Sequence, residues 1–137
     1  MLRINKIADY GTVVMTYLAN KPDIASNARN IAQQTNLNLP IVSKILKLLA
    51  KAGLLLSERG VQGGYRLAKP PKDISVAHIL SALDDSVSLT ECSDSKSQCA
   101  HENTCSTKKP WRIISKTIDN ALQKISLADF YEQSTHR

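Results

Sequence analysis

Three cysteines, Cys92, Cys99 and Cys105, hold all of the chain's thiols, and they sit in one stretch with gaps of six and five residues. A zinc ribbon grips its metal with tight Cys-x2-Cys knuckles, and a dithiol redox pair uses Cys-x-x-Cys, so this spacing matches neither. Soft thiolates held wide apart suit an iron-sulfur cluster, whose inorganic sulfides enlarge the object being grasped. Two other uses stay open: a Cys3His zinc site completed by His101 or His136, and free thiols. Disulfides are disfavoured, because the count is odd and a reducing cytosol keeps thiols apart. Catalysis has little to support it. No basic cluster lies near enough in sequence to activate a cysteine and no oxyanion-binding feature is visible, so the chain reads as a non-enzyme.

Something must hold those thiols in place, and the stretch itself does not. Residues 84–108 lose all periodicity and carry five acids, a long loop for a chain of 137 residues. That length suffices for one core of ordinary size. Aromatic residues make up only 4% of the chain against 42% hydrophobic overall, so Leu, Ile, Val and Ala must do most of the packing, which favours helices. No apolar run reaches the length of a membrane span, and the N-terminus lacks a secretory pattern, which places the protein in the cytoplasm.

Hydrophobic periodicity marks the helices. Ile4, Ile7, Ala8, Gly11, Val14, Met15 and Leu18 form one stripe over residues 4–19. Ser26 or Asn27 can cap a short second helix through about Thr35, buried by Ala28, Ile31 and Ala32. After the turn Asn36-Leu37-Asn38 comes a third helix with Asn38 as N-cap and Pro40 in its first turn. Val42, Ile45, Leu46 and Leu49 face the core, and Gly53 supplies the stop. Leu54–Arg59 and Tyr65–Ala68 read as strands of a hairpin around Gly60-Val61-Gln62-Gly63-Gly64. A nucleotide-phosphate loop is excluded there, because such a loop opens a helix and here a strand follows. Ser75 caps a fourth helix with Val76, Ile79, Leu80 and Leu83 inward, and His78 near that stripe reads as packing. Beyond the cysteines, Trp111, Ile114, Ile118, Ala121 (or Leu122) and Ile125 recur in steps of three and four after Pro110. That seam is a packing face for the first helix or for a second copy of the chain. The expected division is a DNA-binding domain over 1–83, a cysteine loop over 84–108, a dimerisation helix over 109–130 and a tail over 131–137.

Charge says what the first domain meets. Residues 1–72 hold 11 Lys and Arg against 3 Asp and Glu, whereas residues 73–137 hold 7 against 9, within a net charge of +6. A basic half points to a polyanion, since neutralising phosphates releases condensed counterions. Helix, turn, second helix with basic outward residues, then hairpin is the order of a mainly α winged helix-turn-helix, whose second motif helix enters the major groove of double-stranded DNA. Ile41, Ser43 and Lys44, just after Pro40, fall where base contacts are made, and Lys47 and Lys51 where phosphates are. Asn27 and Arg29, on the bracing helix, face the DNA backbone. Arg59 at the base of the wing can enter the minor groove, and Gly63 and Gly64, before Tyr65, let the wing backbone come close to phosphate.

The chain resembles the iron-sulfur and nitric-oxide sensing repressors of the Rrf superfamily. The likeness rests on Ala8-Asp9-Tyr10-Gly11, Asn30-Ile31-Ala32, Leu39-Pro40-Ile41-Val42-Ser43-Lys44, Ala52-Gly53-Leu54, Arg59-Gly60 with Gly63-Gly64-Tyr65-Arg66-Leu67, Ile74-Ser75-Val76 and the three cysteines. Within the superfamily it looks most like regulators of the SUF iron-sulfur assembly system, through Asp9 to Met15, Glu91-Cys92-Ser93 and Ser126-Leu127-Ala128-Asp129. The resemblance implies a homodimeric repressor on a palindromic promoter site, with one cluster per subunit, commonly [2Fe-2S], on Cys92, Cys99 and Cys105. A nitric-oxide or redox sensor and an iron-sulfur carrier are the competing roles. Three departures stand out: the first cysteine gap is one residue longer than in the IscR-like pattern, Lys108 stands where those proteins place a histidine, and Ser43 replaces their recognition-helix glutamate. Lys108 offers no lone pair to a metal. The fourth ligand then falls to His101, to water or an external thiol, or, as in NsrR-like members, to Asp9 of the partner subunit.

Overall fold

The computed structural model describes residues 4–83 and 106–135. Its first helix, α1, spans Lys6–Ala19, and Asn5 caps it by accepting a hydrogen bond from the Ala8 amide at 2.8 Å. The sequence pattern starts this helix two residues earlier, at Ile4. With the cap at Asn5, Ile4 falls outside the helix and is 59% exposed. Helix α2 covers Ala28–Thr35 and α3 covers Leu39–Lys51. Asn27 caps α2 through its side chain, whereas Asn38 occupies the cap position of α3 without a side-chain bond. Between them Asn36 adopts the left-handed conformation (φ 56°) and closes α2, its amide bonding back to the Gln33 carbonyl.

Gly53 ends α3 as the sequence suggests. Its φ is 81°, its amide bonds to Ala50, and the Leu54 amide reaches back to Leu49 at 3.0 Å, the double closure that a left-handed residue permits. The chain then enters a two-stranded antiparallel sheet, β1 (Leu55–Glu58) and β2 (Gly64–Leu67), with Leu55 opposite Leu67 and Glu58 opposite Gly64. A 3-10 turn at Pro71–Asp73 leads to α4, Val76–Leu83, where Ser75 accepts from the His78 amide at 3.0 Å.

The core lies where α1, α3 and α4 meet. Val14, Met15, Ile31, Val42, Ile45, Leu46, Leu49, Leu54 and Ile74 are completely buried there, so the stripes expected on the first three helices converge on one cluster. Close packing needs Gly11: a Cβ there would run into the Leu83 side chain, so the glycine lets α4 lie against α1.

The C-terminal segment differs from the single helix over 109–130 and the tail over 131–137. Helix α5 spans Lys108–Lys124 and α6 spans Leu127–Thr135. The break is built by Ser126 and Asp129. The Ser126 hydroxyl accepts from the Asp129 amide at 3.1 Å while the Asp129 carboxylate accepts from the Ser126 amide at 3.0 Å, a reciprocal cap that starts a new helix. The break also pairs two extended residues, Ser75 and Ser126. The Val76 amide donates to Ile125 (2.9 Å) and the Leu127 amide to Ile74 (2.8 Å). Leu127 is thereby driven into the core at 1% exposure, and Tyr131 donates its hydroxyl to Asn20 at 2.8 Å. Residues 127–135 are thus a helix seated on the core rather than a tail.

Candidate nucleic-acid interface

Helix α3 turns Val42, Ile45, Leu46 and Leu49 inward, which by helical spacing leaves Lys44, Lys47 and Lys51 exposed on its other side, with Pro40 exposed in the first turn. Ser43 is half-buried. Ile41, placed by sequence on the outward face, is also half-buried and packs on the core, so it helps seat the helix as well as flanking its exposed face. Arg59 follows β1 directly and is exposed at the hairpin. Beside it in the chain, Glu58 pairs with Arg66 across the wing. An exposed pair of this kind adds little stability, and its main effect is on local charge.

The wing is fastened to the start of α2. The Ser26 amide donates to the Tyr65 carbonyl (2.9 Å) and the Tyr65 amide to the Ser26 carbonyl (2.8 Å), which makes Ser26 a third, one-residue strand on β2. Gly64 is required for that approach. A Cβ there would collide with the Ser26 carbonyl group, and the backbone sits at φ 155°. At Gly63 a Cβ would strike the Glu58 carbonyl across the hairpin. Both glycines have an internal structural reason that sequence reading did not supply. Tyr65, half-buried, packs on the core as well. Asn27 lies at the same junction, its Oδ1 accepting from the Asn30 amide at 2.7 Å, and Arg29 is exposed one step into α2. The sequence suggests only a possible cap at Ser26, and its bridging role carries no local sequence signal.

Cys92, Cys99, Cys105 and His101, and with them His136, lie outside the described residues. Among the described residues no three His, Cys, Asp or Glu side chains gather to hold a metal ion. Asp9 is described: it is exposed in the first turn of α1, on the rim of a groove of about 480 Å³ that α1, α4, α5 and α6 share. Trp111, Ile114 and Ile125 are 38%, 43% and 41% exposed, Ala121 is exposed, and Ile118 and Leu122 are half-buried. The seam thus divides into a part covered by this chain and a part left open.

Residues 4–133 match the sequence profile of the Rrf2 family, described as iron-dependent transcriptional regulators. The chain belongs to the Rrf2 family. Membership makes it a DNA-binding transcriptional regulator and not an enzyme. It is 37% identical over 100 residues to the IscR regulator of Aliivibrio salmonicida, a stretch covering 73% of this chain and 59% of that longer protein. Among solved structures, the IscR of T. potens superimposes with a TM-score of 0.75 at 30% identity, covering 97% of this chain and 88% of that one. CymR, the global cysteine regulator of B. subtilis, gives 0.76 at 26% identity, covering 97% and 98%. The family match takes in α5 and most of α6, and among the described residues no helix is long and apolar enough to cross a membrane.

Proposed function

We propose that this Rrf2 protein is a cytoplasmic homodimeric repressor of SUF-type iron-sulfur assembly genes, tuned by a [2Fe-2S] cluster on Cys92, Cys99 and Cys105. The observation that carries the reading is where the thiol-bearing segment is attached. It leaves α4 immediately after Leu83, whose side chain is pressed against Gly11, and Gly11 is two residues from Asp9. Helix α1 in turn packs on α3. A change of state in the segment therefore has a short route, through Leu83 and α1, to the helix that carries Lys44 and Lys47.

The donor chemistry fits the group: three soft thiolates with no Cys-x2-Cys knuckle to favour zinc. When bound, the cluster would supply a redox-sensitive centre whose loss alters the charge on the loop. The residues that would hold it are the three cysteines with Asp9 of the partner subunit or His101 as the fourth ligand. The exposed carboxylate of Asp9 favours a second reading, a nitric-oxide or redox sensor of the same architecture with a different regulon. Promoter DNA is read by Ser43, Lys44 and the flanking Ile41 from α3, by Arg59 from the wing, and by phosphate contacts from Lys47, Lys51, Arg29 and Asn27.

The test is anaerobic purification with a visible spectrum and iron and sulfide assays, followed by duplex binding of loaded and stripped protein to an iron-sulfur assembly promoter. A coloured protein with equimolar iron and sulfide and a steep loss of duplex affinity with salt is expected. A colourless zinc protein would remove the cluster. Iron without duplex binding at any salt would indicate a carrier.

A further inference from the structure

The end of α1 and the outward face of α2 enclose a cleft of about 380 Å³ that neither α3 nor the wing tip lines. Its character comes from Tyr17, Asn20, Lys21, Ser26, Asn30 and Gln34. All of these carry hydrogen-bonding groups, no carboxylate is among the lining residues, and Lys21 supplies the one charge. Lys21 is exposed, and among the described residues no acid pairs with it. The carbonyls of Tyr17 and Leu18, which would repel an anion, already accept from the amides of Asn20 and Lys21 at 3.2 Å and 3.3 Å.

The hydrogen bonds made around this cleft leave donors over. Tyr131 of α6 donates to Oδ1 of Asn20 at 2.8 Å, so the Asn20 amide keeps its N–H groups for another acceptor. Asn30 donates through Nδ2 to the Tyr17 hydroxyl at 3.4 Å, a long bond that is easily exchanged, and the phenol proton remains to be given. Amide and hydroxyl donors around one ammonium, without an acid, are complementary to an oxyanion.

The cleft is continuous with the surface that faces DNA. Ser26 and Asn30 also line a second hollow of about 540 Å³ that reaches Val61, Gln62 and Gly63 at the wing. The nearby acids, Asp23 and Glu58, belong to that second hollow, and Glu58 is paired with Arg66. We propose that the cleft is a phosphate subsite, which holds one backbone phosphate of the duplex beyond those met by α3, Arg59 and Arg29. A free phosphate ion would find one full charge in an open site and would lose its own translational freedom. A phosphodiester of a duplex already held by α3 and the wing arrives at high effective concentration, so the same few contacts suffice. The subsite touches no base, so it fixes the position of the duplex and not its sequence. Through Asn20 and Tyr131 it also ties α6 to the DNA backbone. The inference rests on the promoter-binding reading above and adds a contact to it.

Ethylation interference on the promoter duplex tests this with the full-length wild-type chain, Lys21→Ala and Lys21→Arg. One phosphate per half-site whose ethylation blocks the wild type should no longer matter to Lys21→Ala and should matter again to Lys21→Arg. Lys21→Ala should bind about eightfold more weakly at about 0.1 M salt, the release of about 0.9 counterion per phosphate, and flatten the salt slope by the same amount. Its urea midpoint should match the wild type, because the side chain is exposed. Tyr131→Phe keeps the charge, so its slope should be unchanged while affinity falls about threefold, the worth of one hydrogen bond. Wild-type affinity in that variant would overturn the part given to Asn20. Identical interference patterns and slopes for wild type and Lys21→Ala would overturn the subsite. So would a free-anion site, seen if millimolar inorganic phosphate raised the melting temperature of the wild type and not of Lys21→Ala while the duplex slopes agreed. A wild-type chain that binds no duplex at any salt would overturn the promoter-binding reading together with the subsite.

Discussion

Replacing Gly64 with alanine separates two meanings of a wing glycine: clearance within the protein, or access for a DNA phosphate. The added Cβ meets backbone rather than a side chain that can swing away, namely the Ser26 carbonyl group and, at 2.6 Å, the Asn27 amide nitrogen. Either the wing moves off α2 or the bridge opens, and opening loses the 2.9 Å and 2.8 Å hydrogen bonds between Ser26 and Tyr65. Two such bonds are worth about 1 kcal/mol each. Strain at φ 155° adds about 1–2 kcal/mol, giving a total of about 3–4 kcal/mol. Gly60 is the control: its φ is 114°, but nothing lies within 4 Å of a Cβ there, so Gly60→Ala costs only the strain, about 1–2 kcal/mol. In urea, with a slope of about 1.5–2 kcal/mol per molar, Gly64→Ala lowers the midpoint by about 1.5–2.7 M and Gly60→Ala by about 0.5–1.3 M. If both variants unfold at the same urea concentration, the clearance reasoning is refuted. If Gly64→Ala keeps wild-type stability yet loses duplex affinity, the glycine serves phosphate and not packing.

Three further outcomes are expected. Single Cys92→Ala, Cys99→Ala and Cys105→Ala variants lose most of their iron and sulfide but keep the wild-type far-ultraviolet circular dichroism, because among the described residues α1, α3 and α4 already close a buried apolar cluster; full metal content in any one removes that residue from the ligand set. Arg59→Ala weakens cognate duplex more than random duplex, whereas Lys47→Ala weakens both equally and flattens the salt slope by about one unit, and equal losses for both variants would mean the wing is misassigned. Asp9→Ala changes the visible spectrum and the response to oxidants of the anaerobic protein, while a change in His101→Ala alone transfers the fourth-ligand role to His101.

Elements whose ends carry local chemistry were legible in the sequence. Asn27 and Ser75 bond the backbone amides that capping residues serve, and Gly53 takes the positive φ that a stop requires. The C-terminal break was not read, because Ile125 continues the three-four spacing of Trp111, Ile114 and Ile118 and hides the boundary. The signal was present in Ser126 and Asp129, which have the spacing of a reciprocal cap. The exposure of Lys44, Lys47, Lys51 and Arg59 was readable because an outward cation needs only a helix or strand phase to be placed. Ser26 and the reason for Gly64 were not, since both depend on β2 meeting a segment almost 40 residues earlier, a contact that no local pattern encodes.

The pairing of Ser75 with Ser126 closes the intervening chain into a loop in which α4 belongs to the core and α5 packs on α4. Both of its ends are sewn to the same place, so the number of residues between α4 and α5 weighs little on the rest of the fold. Adding one residue to a closed stretch of roughly 50 changes its closure cost by only about 0.02 kcal/mol. The extra residue between Cys92 and Cys99 is thus nearly free to the rest of the protein, and so are other loop lengths. A segment of a different length or ligand set can be exchanged between the end of α4 at Leu83 and the start of α5 at Lys108 while α4 and Leu127 keep their seats in the core and α3 its angle to the wing.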